Sequence, residues 1–418
     1  MGVNLRHSHP LTLSQLSFYY EYFFVPPEKK WQANLFDIWK IPSGKSLKEV
    51  SNALRELIDK HDTFRTVFDF SDPTNPAQIL ERNTGGVFRV LDSSTNNISD
   101  DIFFTVSRFA REPFNIEAQQ PWRICVIKSD GSPSHVVVAM HHIAVDAFSW
   151  NLLFQDFLDI IEGKKSSIYK SPVELAEEQH SQSWENRLGK SRRYIERALS
   201  ANHQKDISPV IGESRHTVLT SLKSHRAARA IREISNSENT SESSIISAFY
   251  SRCISNFFAQ ENILLRSASS NRFSDEARSV IGIMNQWVPI PLEPQGENCT
   301  SFLRTINARS IRAYQNGIFD PMHFRGKSGN PSLLYSNLGY FFNYLNSGAP
   351  KLGNEIEDWI DPLVESYIPT NTSGAPFYLV AGSGDYLNLI LRSKLESFSS
   401  SDAHYFLKSM ERDIIEYT

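Results

Sequence analysis

Cysteine is scarce. Cys125, Cys253 and Cys299 are the only three in 418 residues, they lie far apart, and none forms a CxxC pair. That spacing supports neither a disulfide framework nor a zinc knuckle, and it fits a reducing compartment. An excess of one charge is also missing: 43 Lys and Arg against 47 Asp and Glu leave a net −4, with an isoelectric point near 6.3. This argues against nucleic-acid binding through bulk positive charge. No uninterrupted apolar stretch is long enough to cross a bilayer. The opening Met1-Gly2-Val3-Asn4-Leu5-Arg6 lacks the apolar core of a signal peptide. Gly2 invites myristoylation, but Arg6 stands where Ser or Thr is required. A cytoplasmic location without membrane contact is expected. GxSxG, P-loop and dinucleotide patterns are absent, and Gly382-Ser383-Gly384 is too short to cradle a phosphate. There is no short repeat, low-complexity tract or coiled coil.

What remains is an ordinary globular mixture, 40% hydrophobic and 22% charged. The chain is long enough for large cores without disulfide or metal staples. Helix and strand signals interleave, giving an α+β class. Thr12 with Gln15, and Ser46 with Glu49, form capping boxes that open helices. Behind the second, Leu47, Val50, Leu54, Leu57 and Ile58 make one apolar stripe. Residues 121–128 and 135–140 read as strands, the second nearly continuous and β-branched, as a buried central strand would be. A short turn follows, then a helix on Trp150, Leu153, Phe154, Phe157 and Ile161, with Gly163 as its stop. Asn239 with Glu242 predicts a helix start running through Phe258; strands are expected at 262–268 and 385–393, a helix from Thr300 to Gln315, and a closing helix on Phe406, Met410 and Ile414. A polar stretch after Gly163 suggests a boundary near 175, hence lobes 1–175 and 176–418. His7 and His9 read as an exposed pair. The basic run Lys190, Arg192, Arg193 and Arg197 reads as a solvated helix face, or as a docking face for an acidic partner.

The segment with chemical content is His141-His142-Ile143-Ala144-Val145-Asp146-Ala147-Phe148-Ser149-Trp150. It occupies the turn between the buried strand and its helix. Adjacent residues leaving a strand point to opposite sides, so one imidazole can face a cavity while the other packs inward. Imidazole moves protons near neutral pH. Asp146 can cap the helix or pair with a buried arginine. An isolated HH pair is more often structural than catalytic, and the divergence of the two rings disfavours a shared metal, so no metal site is expected.

Other segments change that balance. Together they resemble the condensation domains of nonribosomal peptide synthetases, within the chloramphenicol-acetyltransferase-like superfamily. The HHxxxDG signature of that family appears as His141 to Ala147. Leu57 to Phe68 is similar to its RHxxLRTxF-type segment, and Glu112-Pro113-Phe114-Asn115 with Pro121-Trp122-Arg123 to its PFDL…PLLR segment. Leu13-Ser14-Gln15 resembles its opening motif, and Ile281 to Ile290 its IGxFVNTLPLR segment. The likeness runs in order from about residue 10 to the C-terminus.

The resemblance implies two chloramphenicol-acetyltransferase-like lobes arranged as a V-shaped pseudo-dimer with the site at their junction. Two phosphopantetheine arms, held by acyl or peptidyl carrier proteins, would bring an acyl thioester and an amine acceptor; in some relatives the acceptor is a free amine or a hydroxyl. It implies an acyltransferase with no cofactor of its own and carriers supplied in trans, because the chain has no adenylation or carrier segment. His142 is then the catalytic base or positioning group, His141 a support for the loop, and Asp146 a structural partner of Arg65 or Arg272, with Arg65 preferred. Gln286, Ser149 and Trp150 complete the set of substrate-binding or structural residues. Ala147 replaces the signature Gly, and Gln286 stands where the family has Asn. These departures leave open a degenerate docking platform. Phe148-Ser149-Trp150 leaves open an epimerase-like relative, and the superfamily leaves open an acyl-CoA-dependent acyltransferase.

Overall fold

The computed structural model describes residues 7–23, 25–82, 88–93, 98–165, 167–200, 217–294, 299–324, 340–345, 363–367, 375–394 and 398–417. The N-terminal segment Met1 to Arg6 lies outside them. In chain order the elements begin with β1 (Ser8–Pro10), α1 (Leu13–Phe23), β2 (Asn34–Lys40), α2 (Leu47–Lys60), β3 (Thr66–Asp69), β4 (Ala77–Leu80) and β5 (Arg89–Asp92). There follow α3 (Ile98–Arg111), β6 (Trp122–Ser129), β7 (Ser132–His141), α4 (Ala147–Ile161), α5 (Pro172–Gln179) and α6 (Glu185–Ser200). The later elements are β8 (Val218–Ser224), α7 (His225–Glu238), α8 (Glu242–Phe258), β9 (Ile263–Ser269), α9 (Asp275–Arg278) and β10 (Gln286–Leu292). The chain closes with α10 (Cys299–Gln315), β11 (Tyr340–Tyr344), β12 (Leu363–Tyr367), β13 (Phe377–Ser383), β14 (Leu387–Ser393) and α11 (Ser400–Tyr417).

Two compact units result. One holds residues 1–187 together with 270–285; the other holds 188–269 and 286–418. This division differs from a boundary at 175 for a physical reason. Ser171 and Pro172 open α5 with a capping box, and α5 packs back on β1, so the segment just after 175 belongs to the first unit. Residues 270–285 join that unit through hydrogen bonds to Asp146, Ser149 and Ser14.

In the first unit β2-β7-β6-β5 form a four-stranded sheet and β1-β4-β3 a three-stranded one. β7 is an inner strand, antiparallel to β2 and β6, and Val136 to Met140 are fully buried. This is why its β-branched residues run without polar alternation. Both expected capping boxes form: Thr12 Oγ1 accepts from Gln15 N at 3.1 Å, and Ser46 Oγ from Glu49 N at 3.3 Å. On α2, Val50, Leu54, Leu57 and Ile58 are buried and the helix packs against α4. Gly163 takes φ +70° just past α4, the left-handed conformation that ends a helix at low cost in glycine. His9 is not an exposed residue: it lies in β1 and its Nδ1 meets Glu177 at 2.9 Å.

In the second unit the described strands form one sheet in the order β10-β9-β11-β13-β14-β8-β12. Alternate residues, such as Leu265, Val288, Phe342, Leu379 and Leu389, join α7, α8, α10 and α11 in one core. The residues between them point to the opposite face. Asn239 does not start α8. It closes α7 at φ +49°, and Ser241 caps α8 by accepting from Ser244 N. Asn tolerates the left-handed region, so the same residue type serves either end.

Candidate active site

The turn after β7 is held from below by its apolar residues. Ile143 and Val145 are fully buried and Ala144 nearly so. Thr63 Oγ1 donates to the Ala144 carbonyl at 2.6 Å, and the His142 backbone N–H donates to Ala33 O at 2.8 Å. With the turn pinned, the two imidazoles diverge. His141 is fully buried, while His142 is half-buried at the surface of the unit.

Their hydrogen bonds fix opposite tautomers. Val145 O can only accept, so His142 Nδ1, at 2.8 Å, must carry the proton. The lone pair of neutral His142 therefore sits on Nε2. His141 Nδ1 accepts from Ile143 N–H at 3.3 Å, which places the proton of neutral His141 on Nε2. That Nε2 is buried without a hydrogen-bond partner among the described residues. It lies within an aromatic box: Tyr22 and Phe18 meet the ring edge-on with centroids at 4.7 Å and 5.7 Å, and Phe114 at 6.3 Å. Burial, reinforced by His142 and Lys30, pushes the His141 pKa down to about 3. His141 is thus held neutral near neutral pH, while on neutral His142 the lone pair is on Nε2. Phe18, at 5.2 Å from the His142 ring and also against His141, holds both. Phe18 falls on the helix that the Thr12–Gln15 box opens, and nothing in its spacing links it to the histidines.

Asp146 is the N-cap of α4, accepting from Ser149 N at 2.8 Å. Its ion-pair partner is Arg272, whose Nη2 lies 3.0 Å from Oδ1 and 2.9 Å from Oδ2. This corrects the preference for Arg65. Arg65 instead pairs with Asp62, three residues before it, and Asp62 also accepts from Ser171 Oγ at 2.6 Å. A carboxylate already present in its own turn captures the Arg65 guanidinium. Arg272 is delivered by Asn271, which adopts φ +56° and anchors its amide on Met284 O at 2.8 Å. Arg272 then donates from Nη1 to the Ala277 and Val280 carbonyls at 3.0 and 2.8 Å. Met284 N–H donates to Asp146 Oδ2 at 3.1 Å. Ser14 of the opening motif donates to the same Met284 carbonyl at 2.8 Å. Three of the family-like motifs therefore converge on one hydrogen-bonded junction inside the first unit.

The remaining site residues are structural in their contacts. Ser149 is fully buried; its hydroxyl donates to Gly282 O at 2.9 Å and accepts from Gly282 N at 3.0 Å and Arg272 Nη2 at 2.9 Å. Gly282 is tightly placed there: a Cβ would stand 3.1 Å from the Pro172 ring, which would have to give by a few tenths of an ångström. Trp150 packs edge-on to Trp39 at 6.3 Å. Gln286 lies in the second unit, donating to Phe319 O at 2.9 Å and accepting from Phe319 N at 3.3 Å. Ala147 is exposed in the first turn of α4 and has an ordinary helical backbone, so the missing glycine costs the turn nothing. Phe148 is beside it, with the Arg272 guanidinium 4.7 Å above its ring.

The sequence profile of the condensation domain matches residues 11–331. The chain belongs to the condensation-domain family. It is 23% identical over 325 residues to a plipastatin synthase of Bacillus subtilis, covering 74% of this chain and 12% of that protein. It is 23% identical over 290 residues to bacitracin synthase 2 of Bacillus licheniformis, covering 66% and 11%. The chain thus spans about an eighth or less of the length of these relatives. A solved structure concerned with condensation domain-mediated chain release from the enacyloxin polyketide synthase superposes with TM-score 0.81 at 17% identity, covering 100% of this chain and 83% of that one. The condensation domain of the monacolin K polyketide synthase gives 0.75 at 15% identity, covering 98% and 97%. The fold is the two-lobed chloramphenicol-acetyltransferase-like one. Condensation domains are acyltransferases that form amide or ester bonds, and those of peptide synthetases work with the phosphopantetheine of carrier proteins. Among the described residues no helix is long and apolar enough to cross a membrane.

Proposed function

We propose that this chain transfers an acyl group from a carrier-bound thioester to an amine or hydroxyl acceptor, with donor and acceptor delivered in trans. The observation that carries this reading is the His142 ring: Nδ1–H tied to Val145 O, ring braced on Phe18, and Nε2 left as the basic nitrogen of a half-buried imidazole. In the reaction the acceptor nitrogen or oxygen attacks the thioester carbonyl. A C–N or C–O bond forms, the C–S bond breaks, the acceptor's proton passes to His142 Nε2, and the thiolate recovers a proton on leaving. His141 and the Asp146–Arg272 pair hold the turn and take no part in proton transfer. In support, a doubly mutated starter condensation domain of rhizomide synthetase, similar in fold with TM-score 0.73, has been crystallised with C8-CoA and Leu-SNAC.

The test is mass spectrometry of acyl-carriers incubated with the protein and amine or alcohol acceptors. General-base assistance contributes about 10²–10⁴-fold, so His142→Ala is expected to lose product by that factor while keeping its melting temperature. Unchanged turnover in a folded His142→Ala protein overturns the assignment. Free CoA released from acyl-CoA without any carrier moves the donor assignment to CoA, and solvent deuterium at the α-carbon without condensation moves the reaction to epimerisation.

A further inference from the structure

On the second unit's sheet, the face turned away from α7, α8, α10 and α11 carries an uncommon row. Register places Arg266 of β9 opposite Phe341 of β11, Phe341 opposite Tyr378 of β13, and Tyr378 opposite Arg392 of β14. Four adjacent strands therefore present cation, ring, ring, cation in line. The Arg266 guanidinium lies 5.5 Å from the Phe341 centroid, and that of Arg392 lies 5.0 Å from the Tyr378 centroid. Trp287 of β10 stands edge-on to both rings, at 5.1 Å from Phe341 and 5.7 Å from Tyr378. Asn343 donates to the Tyr378 hydroxyl at 3.3 Å. Trp287, Asn343, Tyr378 and Arg392 keep part of their surface exposed.

Arg392 is the informative member. Among the described residues no carboxylate pairs with it, and its Nε is buried without a hydrogen-bond partner. The nearest carboxylate that register places on this face is Glu365 of β12, two strands further on and offset by two residues. Desolvation lowers the Arg392 pKa. A guanidinium held partly out of water, with no anion beside it among the described residues, is unfavourable for the fold alone, because ring contact replaces only part of the lost hydration. Its planar fork matches a carboxylate in two-point contact, and the neighbouring rings offer flat apolar surface.

We propose that this face binds a small aromatic carboxylate, with the carboxylate on Arg392 and the ring against Tyr378 and Trp287. The site is independent of the reading of His142. The test is calorimetric titration of the full chain with 2-naphthoate and with its neutral counterpart 2-naphthamide. Saturable binding of the acid, at least tenfold tighter than the amide, is expected. Arg392→Gln should weaken the acid at least tenfold and leave the amide unchanged; Tyr378→Leu should weaken both; Arg229→Gln, on the exposed face of α7, should change neither. No saturable binding, equal binding of acid and amide, or unaltered affinity for the acid in a folded Arg392→Gln protein overturns the proposal. Should Arg392→Gln fail to fold, the acid–amide comparison on the unaltered chain decides alone.

Discussion

Helix α4 carries two buried carboxylates, one at each end of its working length, and they are held in different ways. Asp146, at the N-cap, accepts from two backbone N–H groups and from Arg272, a residue 126 positions away. Asp156, fully buried, accepts from Lys60 Nζ at 2.8 Å to each oxygen and from His61 Nε2 at 2.7 Å. Both of those partners end α2, the helix next to α4. The front end binds a segment that arrives late in the chain and fixes the turn carrying His142. The back end joins two neighbouring helices. Arg272 is itself buried, whereas Lys60 keeps about a quarter of its side chain in solvent. Charge on the front pair therefore has nowhere to go when one member is removed, while Lys60 can hydrate.

That difference sets the largest expected effect. Removing one partner of a buried ion pair costs about 3–5 kcal/mol, because the other charge stays buried. Asp146→Ala also removes a helix cap, typically worth about 1 kcal/mol. Asp156→Ala leaves a lysine that can reach water and a buried His61 whose pKa burial already lowers, so no charge is trapped and the loss is nearer the about 1.5–3 kcal/mol of hydrogen bonds to a charged group. Denaturant unfolding of the two variants measures the gap. Equal losses would mean that Arg272 relaxes to solvent as freely as Lys60 does, and the front end would lose its special standing.

Much of this architecture is legible in the sequence, and the part that is not has a common cause. β7, α2 and α4 announce themselves through local periodicity, because each buries one continuous face. The capping boxes at Thr12 and Ser46 need only four residues to be seen. The choice between Arg65 and Arg272 is different in kind. It depends on Asp62 capturing Arg65 locally and on Asn271 turning through a left-handed conformation, neither of which leaves a periodic trace. The inclusion of residues 270–285 in the first unit is equally silent, although the motif at Ile281 lay in plain view. The cation–ring row on the second sheet needs the register of three strand pairings, two of them parallel, before its residues can be recognised as neighbours.

A smaller effect comes from the buried histidine of the motif. The folded pKa of His141 lies near 3, against about 6.5 in an unfolded chain. Between those values the unfolded state binds the proton and the folded state does not, so stability falls as pH falls. Each unit below 6.5 costs about 1.4 kcal/mol, giving about 2 kcal/mol between pH 6.5 and 5. His61, whose pKa burial also lowers, adds to the slope in the same direction. In His141→Leu the decline in stability from pH 7 to 5 should shrink by about 2 kcal/mol, with the part due to His61 remaining. An unchanged pH slope in that variant would show that the aromatic box admits the imidazolium.

The smallest effect tests the corrected pairing itself. Arg65 and Asp62 are both part-exposed and three residues apart, and ion pairs of that kind contribute less than about 1 kcal/mol. Arg65→Ala should therefore leave stability within that margin. Because Asp62 keeps its bond from Ser171 Oγ, the turn after α2 should keep its place beside the start of α5. Arg272→Ala, by contrast, exposes the full cost at Asp146. If Arg65→Ala proved as damaging as Arg272→Ala, the Asp146 turn would have to depend on both guanidiniums, and α4 would no longer have one committed partner at its front end.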